Sequence, residues 1–192
     1  MIELIILTLL AGVSIYALRK PRPRIEVDMV PFSMHGINVR SRLTPSQWGK
    51  IRKLHTELAG DKCEVCGKKG TEQRFKHDLE CHEIWLHEGK IQKLIGMQAL
   101  CPLCHKIKHV GLADKSGYGE DVREHMAEVN GWTLDRVEAH INLKRQQVRS
   151  IKLPRGERHQ LDLTHLNKPC YSFLNETFTE NETGRCRRGL YE

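Results

Sequence analysis

The chain has 192 residues, and its 31 lysines and arginines exceed its 24 aspartates and glutamates, which gives a formal net charge of +7. Hydrophobic residues make up 39% of the chain, too many for the intrinsically disordered class, and no heptad or longer repeat indicates a fibrous or solenoid protein. The length allows one ordinary domain with extensions. The positive charge favours a polyanionic partner but does not by itself establish one.

The amino-terminal residues form an apolar run that basic residues follow directly. As a helix, residues 4–18 would span about 22 Å, which is less than the bilayer core of about 30 Å. The basic residues at 19–24 would hold the following chain on the cytoplasmic side, and no signal-peptide cleavage site ends the run. We therefore expect residues 2–18 to be either a membrane tether or a docked apolar helix, and a non-native extension upstream of Met29 or Met34 is a third alternative.

Three helices are predicted from capping signals and from the spacing of apolar residues. Thr44, Pro45 and Gln47 form a helix start with a capping box. Apolar residues then recur at helical spacing, at Trp48, Ile51, Leu54 and Leu58. A second helix is predicted near residues 120–129, and a third is predicted from Thr133 onward.

Seven cysteines are present, an odd number that cannot all pair within the chain. Four of them form two Cys-x-x-Cys pairs, Cys63 with Cys66 and Cys101 with Cys104. This arrangement favours metal binding in a reducing compartment, the cytoplasm, over the disulfide framework of a secreted protein. Four thiolates saturate a tetrahedral Zn²⁺ and leave no position for a substrate, so the predicted zinc is structural. Four free cysteines without metal are the alternative.

Histidines beside the second cysteine pair form a further motif. A helix there places His105 and His109 one turn apart on the same face, where two imidazoles can share a metal ion. Upstream, apolar and polar residues alternate over residues 79–85, which predicts a half-buried strand that carries His82 and Glu83. Taken separately, these side chains would be ordinary exposed residues of a helix and a hairpin.

The order of these motifs resembles that of the HNH endonuclease family. The matching segments are Cys63-x2-Cys66, Leu79-Glu-Cys-His-Glu-Ile84 and Leu100-Cys-Pro-Leu-Cys-His-Lys-Ile-Lys-His109. A His-Glu-x-Trp motif with a following Gln-Lys-Leu is similar to a subgroup found in phage and bacterial genomes. A weaker similarity extends over residues 35–166, which is roughly two-thirds of the chain.

The resemblance implies an α+β fold, in which a ββα-metal core is held by the four-cysteine zinc site and flanked by helices. It also implies a metal-dependent endonuclease that hydrolyses DNA phosphodiester bonds with a catalytic divalent ion, Mg²⁺, Mn²⁺ or another. The implied ligands of that ion are His82, His105 and His109, and the implied catalytic residues are His82, Glu83 and His105. The lysines expected to contact DNA phosphates are Lys93, Lys106 and Lys108.

The predicted organisation has five segments. Residues 1–24 are the apolar segment and its basic stop, and residues 25–60 are a linker with the leading helix. Residues 61–112 are the HNH core with both metal sites. Residues 113–167 are expected to form carboxy-terminal helices, and residues 168–192, which have no clear period, are expected to be a loosely ordered tail.

Two residues depart from the family pattern. Glu83 stands where the family usually has a histidine as general base, and a carboxylate there could either accept a proton or bind metal. The alternative assignment therefore makes His82 the base and Glu83 the ligand. Gly96 stands near the position of the central asparagine, whose orienting hydrogen bonds Gln92 or Gln98 could replace.

Three functions remain as alternatives at this point. They are an active nuclease, a DNA-binding zinc module without cleavage, and a structural or protein-interaction zinc domain. The combination of His82, Glu83, His105 and His109 favours the nuclease, because the four cysteines alone would suffice for the other two functions.

Overall fold

A computed structural model of the chain describes residues 22–31, 34–73, 75, 78–151 and 160–180. The apolar run at residues 2–18 and the final residues 181–192 lie outside the described part. Within the described ranges, no helix has both the length and the apolar character needed to cross a bilayer.

The described part is a mixed α+β fold in which helices surround a small three-stranded sheet. The strands are Glu80–Glu88 (β1), Ile91–Leu100 (β2) and Gln160–Asp162 (β3). The α-helices are Val39–Arg42 (α1), Pro45–Leu58 (α2), Pro102–Lys108 (α3), Val110–Lys115 (α4), Gly119–Asn130 (α5) and Leu134–Ser150 (α6). Short 3₁₀-helices cover Gly70–Glu72, Thr164–Asn167 and Pro169–Leu174.

The predicted helix signals are confirmed by their hydrogen bonds. The Thr44 hydroxyl accepts from the Gln47 backbone N–H at 3.2 Å, and the Gln47 side chain accepts from the Thr44 backbone N–H at 2.9 Å, which completes the capping box of α2. At the start of α6, the Thr133 hydroxyl accepts from the Arg136 N–H at 3.3 Å, an N-cap without a capping box. Helix α5 ends at Gly131, whose φ of 63° is the left-handed conformation that glycine adopts without strain.

The sheet is an antiparallel hairpin with a short third strand. In the β1–β2 register His82 lies opposite Gln98 and Glu80 lies opposite Leu100, with an irregularity between Ile84 and Trp85. Strand β3 pairs in parallel with the beginning of β2. Strand β1 therefore confirms the strand predicted from the alternation at residues 79–85.

The described residues form two apolar cores, and the hairpin contributes to both. The first apolar core surrounds the cysteine pairs and includes Ile107, Val122, Met126 and Ile141 from helices α3, α5 and α6. The second apolar core includes Ile51 of α2 together with Cys81, Leu161, Leu166 and Phe178. Residues of the hairpin therefore contribute to both cores, Leu100 to the first and Cys81 to the second.

The carboxy-terminal region differs from its predicted organisation. Residues 160–162, which the sequence assigns to a helical segment, form β3, and the predicted tail contributes buried side chains to the second apolar core. Asn167 holds this segment by donating to the Phe178 carbonyl at 2.9 Å and accepting from the Phe178 N–H at 2.8 Å. The segment has no helical or strand period because its leucine and aromatic residues pack from irregular backbone and 3₁₀ turns.

Candidate functional site

Four cysteines converge at the junction of the hairpin and α3. The sulfur atoms of Cys63, Cys66, Cys101 and Cys104, called the cysteine cluster below, all lie within 4.8 Å of one another. All but Cys66 are buried. Four thiolates at this spacing match the donor set of a tetrahedral zinc ion, so the cysteine cluster could hold a metal ion such as zinc.

The local backbone explains why the two cysteine pairs meet. Gly67, with a φ of 75°, closes a tight turn in which its N–H donates to the Cys63 carbonyl at 2.8 Å. The Glu64 N–H then donates to the Ala99 carbonyl at 3.0 Å, which joins this turn to the end of β2. Cys101 follows directly as the N-cap of α3, and its sulfur accepts from the Cys104 N–H at 3.4 Å.

Two polar side chains beside the cysteine cluster were not singled out from the sequence. Gln73 donates to the Cys101 sulfur at 3.0 Å, and His125 Nε2 lies 3.3 Å from the Cys104 sulfur. His125 is only 4% exposed. The signal was its position, because His125 shares the buried face of α5 with Val122 and Met126 at helical spacing.

Three histidines converge on the opposite side of α3 from the first apolar core. His82 of β1 and the pair His105 and His109 on α3, called the histidine cluster below, have ring centroids between 4.7 and 5.4 Å apart. One ring nitrogen of each lies within 4.8 Å of the others, so the histidine cluster could hold a metal ion. The structure therefore brings together the three residues that the resemblance assigns to the catalytic ion.

Two histidines of the cluster each contact a carboxylate. His82 Nε2 lies 2.7 Å from Asp28 Oδ2, and His105 Nδ1 contacts Glu80. Metal-binding histidines commonly donate their second ring N–H to a carboxylate, which fixes the ring and its tautomer. Neither carboxylate belongs to a motif recognised in the sequence, although Glu80 has the strand spacing that places it on the same face as His82.

Two histidines of the cluster, His82 and His109, are in the protonation state that suits metal binding. Burial lowers the pKa of His82, and burial together with the neighbouring imidazoles lowers the pKa of His109 to about 3. Both rings are therefore neutral at pH 7, the form that binds metal. Burial alone would raise the pKa of Asp28, but the hydrogen bond with His82 and the charge of Lys108 lower it, so Asp28 is ionised.

Glu83 lies away from the histidine cluster. Successive strand residues point to opposite faces, and Glu83 accepts from the Arg40 backbone N–H of α1 at 3.4 Å. Burial raises the pKa of Glu83 to about 7. Among the described residues, the group of mutually close ligand atoms includes a nitrogen of His82 but no oxygen of Glu83. This placement supports neither the base nor the ligand role for Glu83.

The two glutamines considered as replacements for the central asparagine occupy different positions. Gln98 lies directly opposite His82 on β2, so the two side chains share one face of the hairpin. Gln92 is buried at the far end of the hairpin, where it contacts His87 at 3.2 Å and donates to the Ile37 carbonyl at 3.3 Å. Only Gln98 of these two is a neighbour of the histidine cluster.

The three predicted DNA-contacting lysines do not form one surface. Lys108 Nζ lies 3.2 Å from Asp28 beside the histidine cluster, and Lys106 Nζ lies 4.7 Å from the Tyr118 ring centroid. Lys93 lies 3.2 Å from Asp162 and is five residues along β2 from Gln98, a distance of about 17 Å. The geometry therefore places Lys108 beside the histidine cluster and Lys93 away from it, whereas Lys106 follows His105 on α3 but directs its ammonium group to the Tyr118 ring.

Comparisons with protein-family models, with curated proteins and with solved structures find no match for this chain. The resemblance to the HNH family consequently remains a prediction from the motifs at residues 63–109. What the chain does must be argued from the geometry of its two side-chain clusters.

Proposed function

We propose that this protein is a metal-dependent endonuclease of the HNH type that hydrolyses DNA phosphodiester bonds at the histidine cluster. The observation that carries the proposal is the convergence of His82, His105 and His109 from a β-hairpin and the helix that follows it. The order of elements, strand, strand and helix, is the order that the sequence resemblance implies.

The donor set favours a divalent transition-metal ion. Imidazole nitrogens suit ions such as Zn²⁺ and Ni²⁺, whereas Mg²⁺ prefers oxygen ligands, so we expect Mn²⁺ or Co²⁺ to bind more tightly than Mg²⁺. A divalent ion held by these histidines would supply Lewis-acid stabilisation of the charge that develops on a scissile phosphate. Three protein ligands leave coordination positions for a substrate, in contrast to the saturated cysteine cluster.

The cysteine cluster has a structural role in this proposal. Cys104 and His105 are consecutive residues of α3, so a zinc ion on the cysteines would fix the helix that carries two of the three histidines. A catalytic site tolerates little displacement of its side chains, and fixing the first turn of α3 would reduce the displacement of its histidines. Free thiolates for zinc also require the reducing conditions of a compartment such as the cytoplasm.

The charge around the site favours a polyanionic substrate. Lys106 and Lys108 lie on α3 beside the histidines, and the whole chain carries a formal charge of +7. Lysines at this place would contact phosphates that flank the scissile bond, contacts that position DNA without reading its sequence. We therefore propose that DNA is the partner and that these lysines confer little sequence preference on the cleavage.

Nicking of supercoiled plasmid by the purified full-length chain tests the proposal. We expect nicking with Mn²⁺ or Mg²⁺, and at least a hundredfold loss in the His105→Ala and His109→Ala variants. His87→Ala is the matched control, because His87 is also on β1 but lies outside the histidine cluster. Zinc content is measured in each sample, so that loss of the structural ion is not mistaken for loss of the catalytic one.

A parent protein that binds plasmid but does not nick it with any of these ions would contradict the proposal. That result would favour the alternative, a zinc-dependent DNA-binding module without cleavage. Equal nicking by the parent and the His105→Ala variant, at equal zinc content, would mean that the activity does not use the histidine cluster.

A further inference from the structure

We propose that Asp28 is a positioning residue of the histidine cluster. It holds the His82 ring so that Nδ1 faces the metal ion. The inference rests on the proposed function only in requiring that the cluster binds a divalent ion. It does not require DNA cleavage. Asp28 belongs to the segment that sequence analysis interpreted as a linker, 54 residues before His82.

The contact determines which ring nitrogen carries the proton. His82 is 4% exposed, and its Nε2 lies 2.7 Å from Asp28 Oδ2. An ionised carboxylate only accepts hydrogen bonds, so the ring nitrogen facing it must donate. A neutral imidazole has one N–H, and therefore the lone pair of His82 is on Nδ1.

The second carboxylate oxygen of Asp28 is also engaged. Lys108 Nζ lies 3.2 Å from Asp28 Oδ1, and the Lys108 side chain is only 15% exposed. The Asp28 backbone N–H donates to the Lys108 carbonyl at 3.2 Å, so main chain and side chain join the same two residues. Asp28 is therefore held against the end of α3, close to His105 and His109.

The rest of the segment is fixed to the helices as well. The Ile25 N–H donates to Asn130 Oδ1 at 3.0 Å, and Asn130 donates back to the Ile25 carbonyl at 2.9 Å. Ile25 and Val27 are each 2% exposed in the first apolar core. A carboxylate on a segment held this firmly can fix the orientation of a ring.

The geometry assigns Asp28 an indirect role. The described group of mutually close ligand atoms comprises His82, His105 and His109 and does not include Asp28. Both Asp28 oxygens already contact His82 and Lys108. Loss of a carboxylate that orients a metal-binding histidine typically weakens metal affinity about 10- to 100-fold.

Titration with Co²⁺ of the full-length protein prepared with one zinc ion per chain, followed by visible absorption and calorimetry without DNA, tests the proposal. We expect Asp28→Asn to bind Co²⁺ at least tenfold more weakly than the parent. The matched control is Glu26→Gln, from the same segment, whose side chain contacts Lys144 at 2.8 Å instead of the cluster. The control is expected to bind within twofold of the parent, and equal binding by Asp28→Asn would overturn the proposal.

A double substitution separates positioning from direct metal contact. If Asp28 acts through His82, then Asp28→Asn should cause less than a twofold further loss of Co²⁺ affinity in the His82→Ala background. A further tenfold loss would mean that Asp28 contacts the metal itself, and it would overturn the proposal.

The tautomer of His82 gives a readout that does not depend on any variant folding. Two-bond ¹H–¹⁵N correlation spectra of the parent, before Co²⁺ addition, are expected to show the Nε2–H form, and the Nδ1–H form would overturn the proposal. A parent that binds Co²⁺ with the expected Asp28 effects but never cuts DNA would refute the proposed function and leave this inference supported. A parent that binds neither Co²⁺ nor Mn²⁺ at the histidine cluster would overturn both.

Discussion

His82 and Glu83 are neighbours in the chain, but their side chains lie on opposite faces of the hairpin. His82 meets the rings of His105 and His109, whereas Glu83 accepts from the Arg40 N–H of α1. The two residues of the His-Glu dipeptide therefore have different surroundings. His82 belongs to a cluster that could hold a metal, and Glu83 contacts a short helix.

Glu83 is expected to make the protein less stable as pH rises. Its pKa is about 7 in the folded protein against 4.5 for the unfolded reference, so the folded state binds more protons in this window and stability falls between pH 4.5 and 7. Glu83→Gln removes the charge at this half-buried position, so its stability should not fall over this range. The free energy of unfolding of Glu83→Gln relative to the parent should therefore be up to about 3 kcal/mol higher above pH 7 than at pH 4.

Urea unfolding of both proteins between pH 4 and 8 measures this difference. Glu88→Gln is the control, because Glu88 is exposed on the same strand and its replacement should change stability by less than about 0.5 kcal/mol. Parallel stability curves for the parent and Glu83→Gln would contradict the prediction. A tenfold change in Co²⁺ affinity in Glu83→Gln would place Glu83 at the histidine cluster.

The cysteine cluster is expected to bind one zinc ion per chain, and the fold is expected to require this ion. Cys104→Ala removes a buried ligand, and the protein should lose zinc and its cooperative thermal transition, since structural zinc supplies roughly 10 kcal/mol of folding free energy. Cys170→Ser, at an exposed cysteine outside the cluster, should keep both. Elemental analysis and circular dichroism measure the outcome, and a folded zinc-free parent would refute it.

Phe178 is expected to contribute to the stability of the whole fold. It is 4% exposed in the second apolar core, and truncation of a buried phenylalanine costs about 3–5 kcal/mol. Phe178→Ala should therefore lower the unfolding midpoint in urea, whereas the exposed neighbour Thr177→Ala should not. Equal midpoints for the two variants would mean that this segment is the loosely ordered tail predicted from the sequence.

If the proposed DNA interface is correct, the lysines of α3 should contribute more to DNA binding than the lysine of β2. Lys106→Ala should weaken binding to duplex DNA several-fold and reduce the salt dependence by about one counterion, because Lys106 follows His105 directly on α3. Lys93→Ala should change binding less than twofold, since Lys93 pairs with Asp162 at the other end of the hairpin. Fluorescence anisotropy over a range of salt measures both, and equal effects would contradict the arrangement.

Local patterns in the sequence predicted the parts of the structure that depend on near neighbours. The sequence predicts the Thr44 capping box, the strand at residues 79–85 and the helical pair His105 and His109. Each of these features depends on residues only a few positions apart in the chain. The two Cys-x-x-Cys pairs likewise predicted their own convergence, since a tetrahedral ion requires four ligands at one point.

The tertiary structure alone decided which distant groups serve these motifs. No local pattern connects Asp28 to a histidine 54 residues later, and none shows that a segment without a clear period packs Phe178 into a core. The sequence determined the ligand types and their spacing, because these are properties of short segments. Packing decided the partners of each ligand and the surroundings of Glu83, because those depend on which surfaces meet in the folded protein.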